Sequence, residues 1–189
     1  MSRKLLSLTA LGAASLMALT ACSGGTASSS QSSTSAAASS SSSAPSSITI
    51  ESDQGNVEIK LPVQRVASLD NRTFEVLEQW NVPLVAAPKK LIPSTVKAYN
   101  TDSVADIGMH RDPNLEALAA SNPDLIISGQ RFTRFDSQIA EMNPGVPLIN
   151  LEPRDGKPLN EELIRQVTDL GEIFGHQEDA KKLVDDFNN

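Results

Sequence analysis

Cysteine is almost absent from this sequence, since Cys22 is the single one among 189 residues. One cysteine excludes an internal disulfide and any metal site built from several cysteines. Aromatic residues make up only 4%, with one tryptophan and one tyrosine, which disfavours an aromatic platform for sugars or bases. The net charge of -7 argues against nucleic acid as a partner, because such partners call for a basic patch or stripe.

Catalytic signatures are also missing. The sequence has no Gly-x-Ser-x-Gly elbow, no Walker-type phosphate loop and no Gly-x-Gly-x-x-Gly motif. The two histidines, His110 and His176, are far apart in the chain and lack the spacing of a zinc protease. Lone histidines of this kind are more often surface or helix-end residues than ligands. We therefore expect that the protein is not an enzyme.

Residues 1–21 have the three-part form of a secretory signal peptide. Arg3 and Lys4 precede an apolar stretch that is short for a membrane span, and small residues lead to Cys22. The sequence Leu19-Thr20-Ala21-Cys22 resembles the bacterial lipoprotein signal, in which the cysteine is lipidated and becomes the new N-terminus. The resemblance implies a lipid anchor at the extracytoplasmic face of the cell membrane. The alternative is a free cysteine near a cleaved signal, or an uncleaved anchor.

Residues 22–47 continue from this cysteine as a segment of serine, alanine, glycine and threonine with few other residues. The segment has no apolar face that could offset the entropy lost on ordering. We expect a disordered tether with a root-mean-square reach of roughly 25–30 Å.

From residue 48 onward the hydrophobic pattern is that of an α/β protein. Apolar and polar residues alternate on both sides of Gly55, which predicts a β-hairpin. Short apolar runs predict buried strands at 65–70, 83–88, 125–128 and 146–151, with helical patterns between them. This order is typical of a central, mostly parallel sheet that is flanked by helices on both faces.

Several helix boundaries can be predicted from local signals. A short helix is expected at 95–99, where Tyr99 should pack rather than contact a ligand. Asp112-Pro113 is expected to start the next helix, with a side-chain cap and a proline at the first helical position. Asn160 is a plausible cap for a later helix that Gly175 should end.

The last helical pattern begins near residue 178 and has no stop signal. Leu183, Val184 and Phe187 give it an apolar side. Either this helix docks on the preceding domain, or the polypeptide is a fragment of a longer protein, and we favour the fragment.

The order of several segments resembles a known family. These segments are the lipoprotein signal, the Ser-rich tether, "RVASLD", "PLVAAPK", "DPNLEALAASNPDLIISG" and "LGEIFGHQEDAKKLV". Together they resemble the substrate-binding lipoproteins of iron–siderophore ABC importers. The resemblance implies two α/β lobes joined by one long helix. Residues 48–174 would be the N-terminal lobe and residues 175–189 the start of the interlobe helix, with the C-terminal lobe missing.

Sheet geometry and the resemblance suggest the same place for a ligand. Ligands of open parallel sheets bind beyond the carboxyl ends of the strands, and Arg131 and Arg134 follow the strand at 125–128. A guanidinium is always charged and offers a donor fork to an anionic ferric siderophore. The resemblance implies an arginine in this loop, but Gln130 stands where some relatives have it. Which of the two arginines faces the ligand therefore stays open.

Other polar residues also follow predicted strands. Lys89 and Lys90 come after the strand at 83–88, and the resemblance implies that one of them faces the ligand cleft. Asn71 and Arg72 occupy the loop after the first strand of the sheet and could line the rim. Arg111 is expected to be an ordinary loop charge.

The resemblance also implies the cargo and the partners. Iron would travel inside a siderophore that supplies its own oxygen ligands, so we expect no cofactor and no protein metal site. The other partners would be an ABC transporter permease, met by acidic residues such as Glu75, Glu78 or Asp102, and the membrane, with the protein a monomer. The alternatives are the same fold binding haem or a cobalamin, or a lipid-anchored surface adhesion or structural domain.

Overall fold

A computed structural model describes residues 46–189 of the protein. The expected signal peptide, the lipidation site at Cys22 and nearly all of the tether lie outside the described residues. Within the described range, no helix is both long enough and apolar enough to span a bilayer.

The described chain begins with the predicted hairpin. Strand β1 (Ser47–Ser52) pairs antiparallel with β2 (Gly55–Lys60), and Ile50 and Ile59 on these strands are buried. Because the two isoleucines point to one face, the hairpin is half buried, as its alternation predicts.

The centre of the fold is a five-stranded parallel sheet. The remaining strands are β3 (Val66–Ser68), β4 (Leu84–Ala87), β5 (Ala105–Asp106), β6 (Gly108–Met109), β7 (Asp112–Pro113), β8 (Leu125–Ser128) and β9 (Leu148–Asn150). The sheet has the order β5-β4-β3-β8-β9, with parallel pairing throughout, while β6 and β7 form a separate antiparallel pair. The chain therefore moves outward from β3 to β5 and then returns to the other side of β3.

Helices cover both faces of this sheet. They are α1 (Phe74–Gln79), α2 (Leu115–Ala120), α3 (Asp136–Met142), α4 (Leu159–Phe174) and α5 (Gln177–Asn188), with 3-10 helices at Lys89–Leu91 and Gln130–Phe135. One core cluster joins the sheet to the hairpin, α1, α4 and α5, and the other joins it to α2 and α3. All four residues of β8 are buried, because helices cover both faces of this inner strand. The predicted α/β architecture is confirmed.

The predicted helix at 95–99 is wrong. This stretch forms turns, because the carboxylate of Glu78 accepts hydrogen bonds from the backbone N–H groups of Lys97 at 2.6 Å and Ala98 at 2.7 Å. Tyr99 is buried and donates to the carbonyl of Val82 at 2.8 Å, so its predicted packing role is confirmed.

Two predicted helix caps are also wrong. Asp112 and Pro113 form strand β7, and the cap of α2 is Asn114, whose side chain accepts from the N–H of Ala117 at 2.9 Å. Asn160 lies inside α4, which begins after Pro158. Strand pairing and the proline override the local cap signals at these two sites.

The turn between the last two helices follows the prediction. Gly175 has φ 73° and ends α4, a left-handed conformation that favours glycine. Helix α5 then packs on α4 so closely that a Cβ atom on Gly171 would lie 2.6 Å from Cβ of Ala180. Leu183 is half-buried against the core, whereas Phe187 is 56% exposed. The helix therefore docks, and its assignment as the start of an interlobe helix stays a prediction.

Candidate ligand-binding edge of the sheet

The strand order reverses between β3 and β8, at the middle of the sheet. The chain leaves β3 toward β4 on one side and leaves β8 toward β9 on the other. Such a switch point leaves a crevice beyond the carboxyl ends of the two strands, which is where open α/β sheets bind their ligands. The loops at 69–73 and 129–135 border this crevice.

The carboxylate of Asp70 connects the segments that border the crevice. Its carboxylate is completely buried and accepts from Arg72, whose Nη2 lies 2.6 Å and whose Nε lies 3.0 Å from the two oxygens. Side-chain amides of Gln130 at 3.3 Å and Gln166 at 3.2 Å complete its hydrogen bonds. With the backbone N–H of Arg72 at 3.0 Å, five donor groups from three parts of the chain satisfy this buried charge, as a buried carboxylate requires.

Arg72 links Asp70 to the loop that follows β9. Its Nη2 lies 3.2 Å from Oε1 of Glu152, which follows β9. Burial opposes the charge of Arg72, but hydrogen bonding to Asp70 and the charges of both carboxylates raise its pKa. Burial raises the pKa of Glu152, and Arg72 acts against that rise. Arg72 is thus held in the floor of the crevice between two carboxylates.

Gly129 allows the second loop to approach Asp70. Its backbone is extended, and a Cβ atom there would lie 2.5 Å from Oδ2 of Asp70. The next residue, Gln130, has φ 53°, and its N–H donates to the carboxylate of Glu152. The chain therefore turns sharply out of β8, and the following arginines lie on the exposed side of the loop.

Arg131 and Arg134 are both exposed and both lie beside His110. Nη1 of Arg131 is 3.4 Å from Nε2 of His110, and Nη2 of Arg134 donates to the His110 carbonyl. The Arg134 guanidinium also lies over the Phe135 ring, 4.7 Å from its centroid. Arg134 is therefore held by two contacts, whereas Arg131 has one long hydrogen bond among residues 46–189.

The other residues predicted for the site are divided between two loops. Asn71 is exposed and accepts from the side chain of Gln130, so it lies at the same crevice as the arginine loop. Lys89 donates to the Thr101 carbonyl at 2.6 Å, which fixes its ammonium group to a neighbouring loop. Lys90 is exposed, with no hydrogen-bond partner in the described part of the chain. Both lysines follow β4, and β3 lies between β4 and β8 in the sheet.

Sequence reasoning missed the cluster that holds the loop after β9. Buried Glu162 accepts from Nη2 of Arg154 at 2.7 Å and from Nε of Arg165 at 3.0 Å. Hydrogen bonds from Arg154, and then from Arg165, lower the pKa of Glu162 to about 2. One signal existed, since Glu162 and Gln166 are polar residues spaced by four on the face of α4 that turns to the sheet.

A cavity of about 890 Å³ lies at the opposite edge of the sheet. Trp80 is in its wall, at the end of α1, and stacks on His176 with centroids 5.2 Å apart. None of the described lining residues is a lysine or an arginine, so this cavity does not suit an anion. His176 lies at the start of α5, as expected of a helix-end histidine.

Metal ligands are not clustered in the described structure. Residues 46–189 contain no group of three or more His, Cys, Asp or Glu side chains that could hold an ion. At the crevice the carboxylates of Asp70 and Glu152 are paired with Arg72, while the exposed guanidinium of Arg131 can bind an anion.

Comparison with curated proteins gives two informative relatives. The chain is 33% identical over 139 residues to the ferric-anguibactin-binding protein FatB of Vibrio anguillarum, covering 72% of this chain and 43% of that protein. It is 21% identical over 131 residues to the petrobactin-binding protein YclQ of Bacillus subtilis, covering 68% and 40%. The chain thus spans less than half the length of these two relatives.

Solved structures share the architecture. The siderophore-binding protein BauB, bound to a complex between two molecules of acinetobactin and ferric iron, matches with TM-score 0.67 and 25% identity over 75% of this chain and 51% of that one. The periplasmic catecholate-siderophore binding protein VctP of Vibrio cholerae matches in fold, with TM-score 0.65 and 20% identity over 74% and 50%. The family model described as periplasmic binding protein matches residues 66–189. The chain therefore belongs to the periplasmic binding protein family.

Proposed function

We propose that this protein captures an anionic ferric siderophore at the β3/β8 crevice and delivers it to an ABC importer. The observation that carries the proposal is Arg131, an exposed guanidinium at the switch point with no carboxylate partner among residues 46–189. A relative named for ferric anguibactin and a similar structure bound to a ferric siderophore complex support the same ligand class.

The charge distribution suits such a ligand. The chain as a whole carries -7, yet Arg131, Arg134 and Arg111 lie together beside His110. A local positive patch attracts an anion despite the net charge, because charges separated by more than a Debye length are largely screened. The siderophore oxygens hold the iron, so iron is cargo and the protein contributes only charge and hydrogen bonds.

Buried hydrogen bonds hold the loops around the arginines in place. Asp70 ties the loop after β3 to the loop after β8, and the Glu162 cluster ties the loop after β9 to α4. Binding groups held in place before the ligand arrives lose less entropy on binding. Arg72 and Asn71 would line the floor and rim, while Arg131, with Arg134 or Lys90, would contact the ligand.

In this proposal residues 1–21 are a signal peptide, and Cys22 carries the lipid that holds the protein at the outer face of the cell membrane. Residues 22–47 are the tether, residues 48–174 the N-terminal lobe, and residues 175–189 begin the interlobe helix. Acidic residues would meet the permease. Of these three, Glu78 accepts from the backbone at 97–98 and Glu75 accepts from the Thr95 hydroxyl at 2.7 Å, so Asp102 is the most available.

Isothermal titration calorimetry on the full-length protein tests the ligand class. Trp80 lies at the edge of the sheet away from the crevice, so its fluorescence would report ligand binding poorly. Ferric anguibactin, ferric petrobactin and the ferric acinetobactin complex would be titrated in parallel with haem and cobalamin. We expect micromolar or tighter binding of at least one ferric siderophore. Binding of haem or cobalamin alone would replace the siderophore with that ligand, and no binding would overturn the proposal.

A further inference from the structure

His110 lies beside Arg131 and Arg134 although it comes from a different loop. Its backbone carbonyl accepts from Arg134, and its ring meets Phe132 edge-on, with centroids 6.3 Å apart. The first contact holds the backbone at residue 110, and the second orients the ring, whose Nε2 lies 3.4 Å from Nη1 of Arg131. The backbone position and the Phe132 contact thus place the ring beside Arg131.

The distance between Nε2 of His110 and Nη1 of Arg131 suits a shared hydrogen-bond acceptor better than a direct hydrogen bond. A hydrogen bond of 3.4 Å is longer than the usual 2.7–3.2 Å range, which makes this contact weak. An anionic oxygen that lies about 2.8 Å from each nitrogen completes a triangle with a 3.4 Å base. Both nitrogens can donate to that oxygen when the imidazole is protonated.

We propose that His110 and Arg131 form one anion subsite, in which both side chains donate to the same siderophore oxygen and His110 gains a proton when the ligand binds. The inference rests on the proposed siderophore function and adds a residue and a proton to it.

The charges around His110 disfavour a proton on its ring before the ligand binds, so a proton can be gained on binding. Desolvation first, and then the charges of Arg131, Arg134 and Arg111, lower the pKa of His110. These three arginines are the charged groups that face it among the described residues, and Phe132 contributes only its ring edge. The imidazole is therefore neutral in the free protein at pH 7, and its Nε2 accepts from Arg131 in one tautomer.

A bound anion shifts the pKa of His110 in the opposite direction. Negative charge beside His110 favours the imidazolium and raises its pKa in the complex. Binding then takes up a proton, so affinity rises as pH falls through the pKa of the complex and stops rising below the lowered pKa of the free protein. A pKa increase of about one unit corresponds to roughly a tenfold gain in affinity across that window.

Calorimetry with ferric anguibactin on the full-length protein, in buffers of different ionisation enthalpy at pH 7, measures the protons taken up. The comparison is between wild type, His110→Gln and the matched control His176→Gln, with circular dichroism to verify folding. We expect proton uptake by wild type and His176→Gln. We expect the uptake to be lost in His110→Gln, together with a roughly fivefold to tenfold loss of affinity near pH 6. Protonation of the siderophore itself is common to all three proteins and cancels.

The outcomes separate the two proposals. Tight binding with equal proton uptake and equal affinity in wild type and His110→Gln overturns the subsite and leaves the siderophore function intact. If ferric anguibactin, ferric petrobactin and the ferric acinetobactin complex all fail to bind wild type, both proposals fall. An NMR titration of the His110 ring provides a second readout. A ring pKa that does not rise when ferric anguibactin is added contradicts the subsite directly.

Discussion

Gly129 lies against the carboxylate of Asp70, so closely that a Cβ atom on Gly129 would come within 2.5 Å of Oδ2. The carboxylate cannot move aside easily, because it is fully buried and is held by Arg72 and two glutamine amides. The contact joins the two loops that border the crevice, and it sets how far the arginine loop stands from β3.

Gly129→Ala should therefore damage both stability and binding. We expect the free energy of unfolding to fall by about 2–3 kcal/mol, because the new methyl group forces the buried ion pair or the loop to shift. Urea unfolding measures the loss. A change below about 0.5 kcal/mol would show that the loop adapts and that the contact does not fix the crevice.

The two lysines after β4 should differ in their effect on the ligand. Lys89 is engaged with the Thr101 carbonyl, whereas Lys90 is exposed without such a contact in the described structure. We expect Lys90→Met to weaken the binding of ferric anguibactin about threefold and to reduce its salt dependence. Lys89→Met serves as the matched control with a smaller effect on affinity, and a larger effect there would reverse the assignment.

Glu162 should make the protein sensitive to acid. Its pKa is lowered from 4.5 to about 2 in the folded state, mainly by hydrogen bonds from Arg154. A lowered folded-state pKa adds stability above the unfolded value, and this stability is lost as pH falls from about 4.5 toward 2.

Glu162→Gln tests this linkage. We expect a loss of about 3 kcal/mol in the free energy of unfolding at pH 7, because two arginines lose their shared buried carboxylate. The difference from wild type should shrink as pH falls below about 4.5. Burial raises the pKa of Asp169 to about 6, so in wild type that group titrates at higher pH than Glu162. A difference that is constant with pH would show that Glu162 keeps an ordinary pKa.

Trp80 offers a test of the packing at the opposite edge. Its side chain is 4% exposed, and the indole Nε1 has no hydrogen-bond partner among the described residues. Trp80→Phe removes this unsatisfied donor while keeping an aromatic ring on His176, so we expect a loss of only about 1 kcal/mol. Trp80→Ala should cost about 3–5 kcal/mol. Equal losses, measured by urea unfolding, would mean that the indole N–H does bind a partner.

The sheet could be predicted from the sequence because its signals are local and consistent. A continuous apolar run such as Leu125–Ser128 fits only an element that is buried on both faces, and the hairpin alternation fits one that is half exposed. The two wrong caps are due to strand pairing and a proline, whereas the wrong helix lies where a distant side chain contacts the backbone. Glu78 satisfies the amides at 97–98 and prevents a helix there, and no periodicity in that segment reveals it.

The site was predictable to a smaller extent. Position after a buried strand indicated Arg131, and the structure places it at the switch point, although its contact with a ligand stays a prediction. The approach of His110 to Arg131 depends on how two loops pack, and the Asp70–Gly129 contact depends on strand order. Such relationships require the fold, because residues far apart in the sequence create them.

The role of Arg131 in ligand binding is measured by the affinity of the full-length protein for ferric anguibactin in wild type, Arg131→Gln and Arg111→Gln. Both arginines are exposed and both contribute to the same patch, so the pair is matched in charge and setting. We expect micromolar or tighter binding by wild type, a loss of roughly tenfold or more in Arg131→Gln, and little change in Arg111→Gln. Equal losses in the two variants, or no loss in Arg131→Gln, would contradict this role of Arg131.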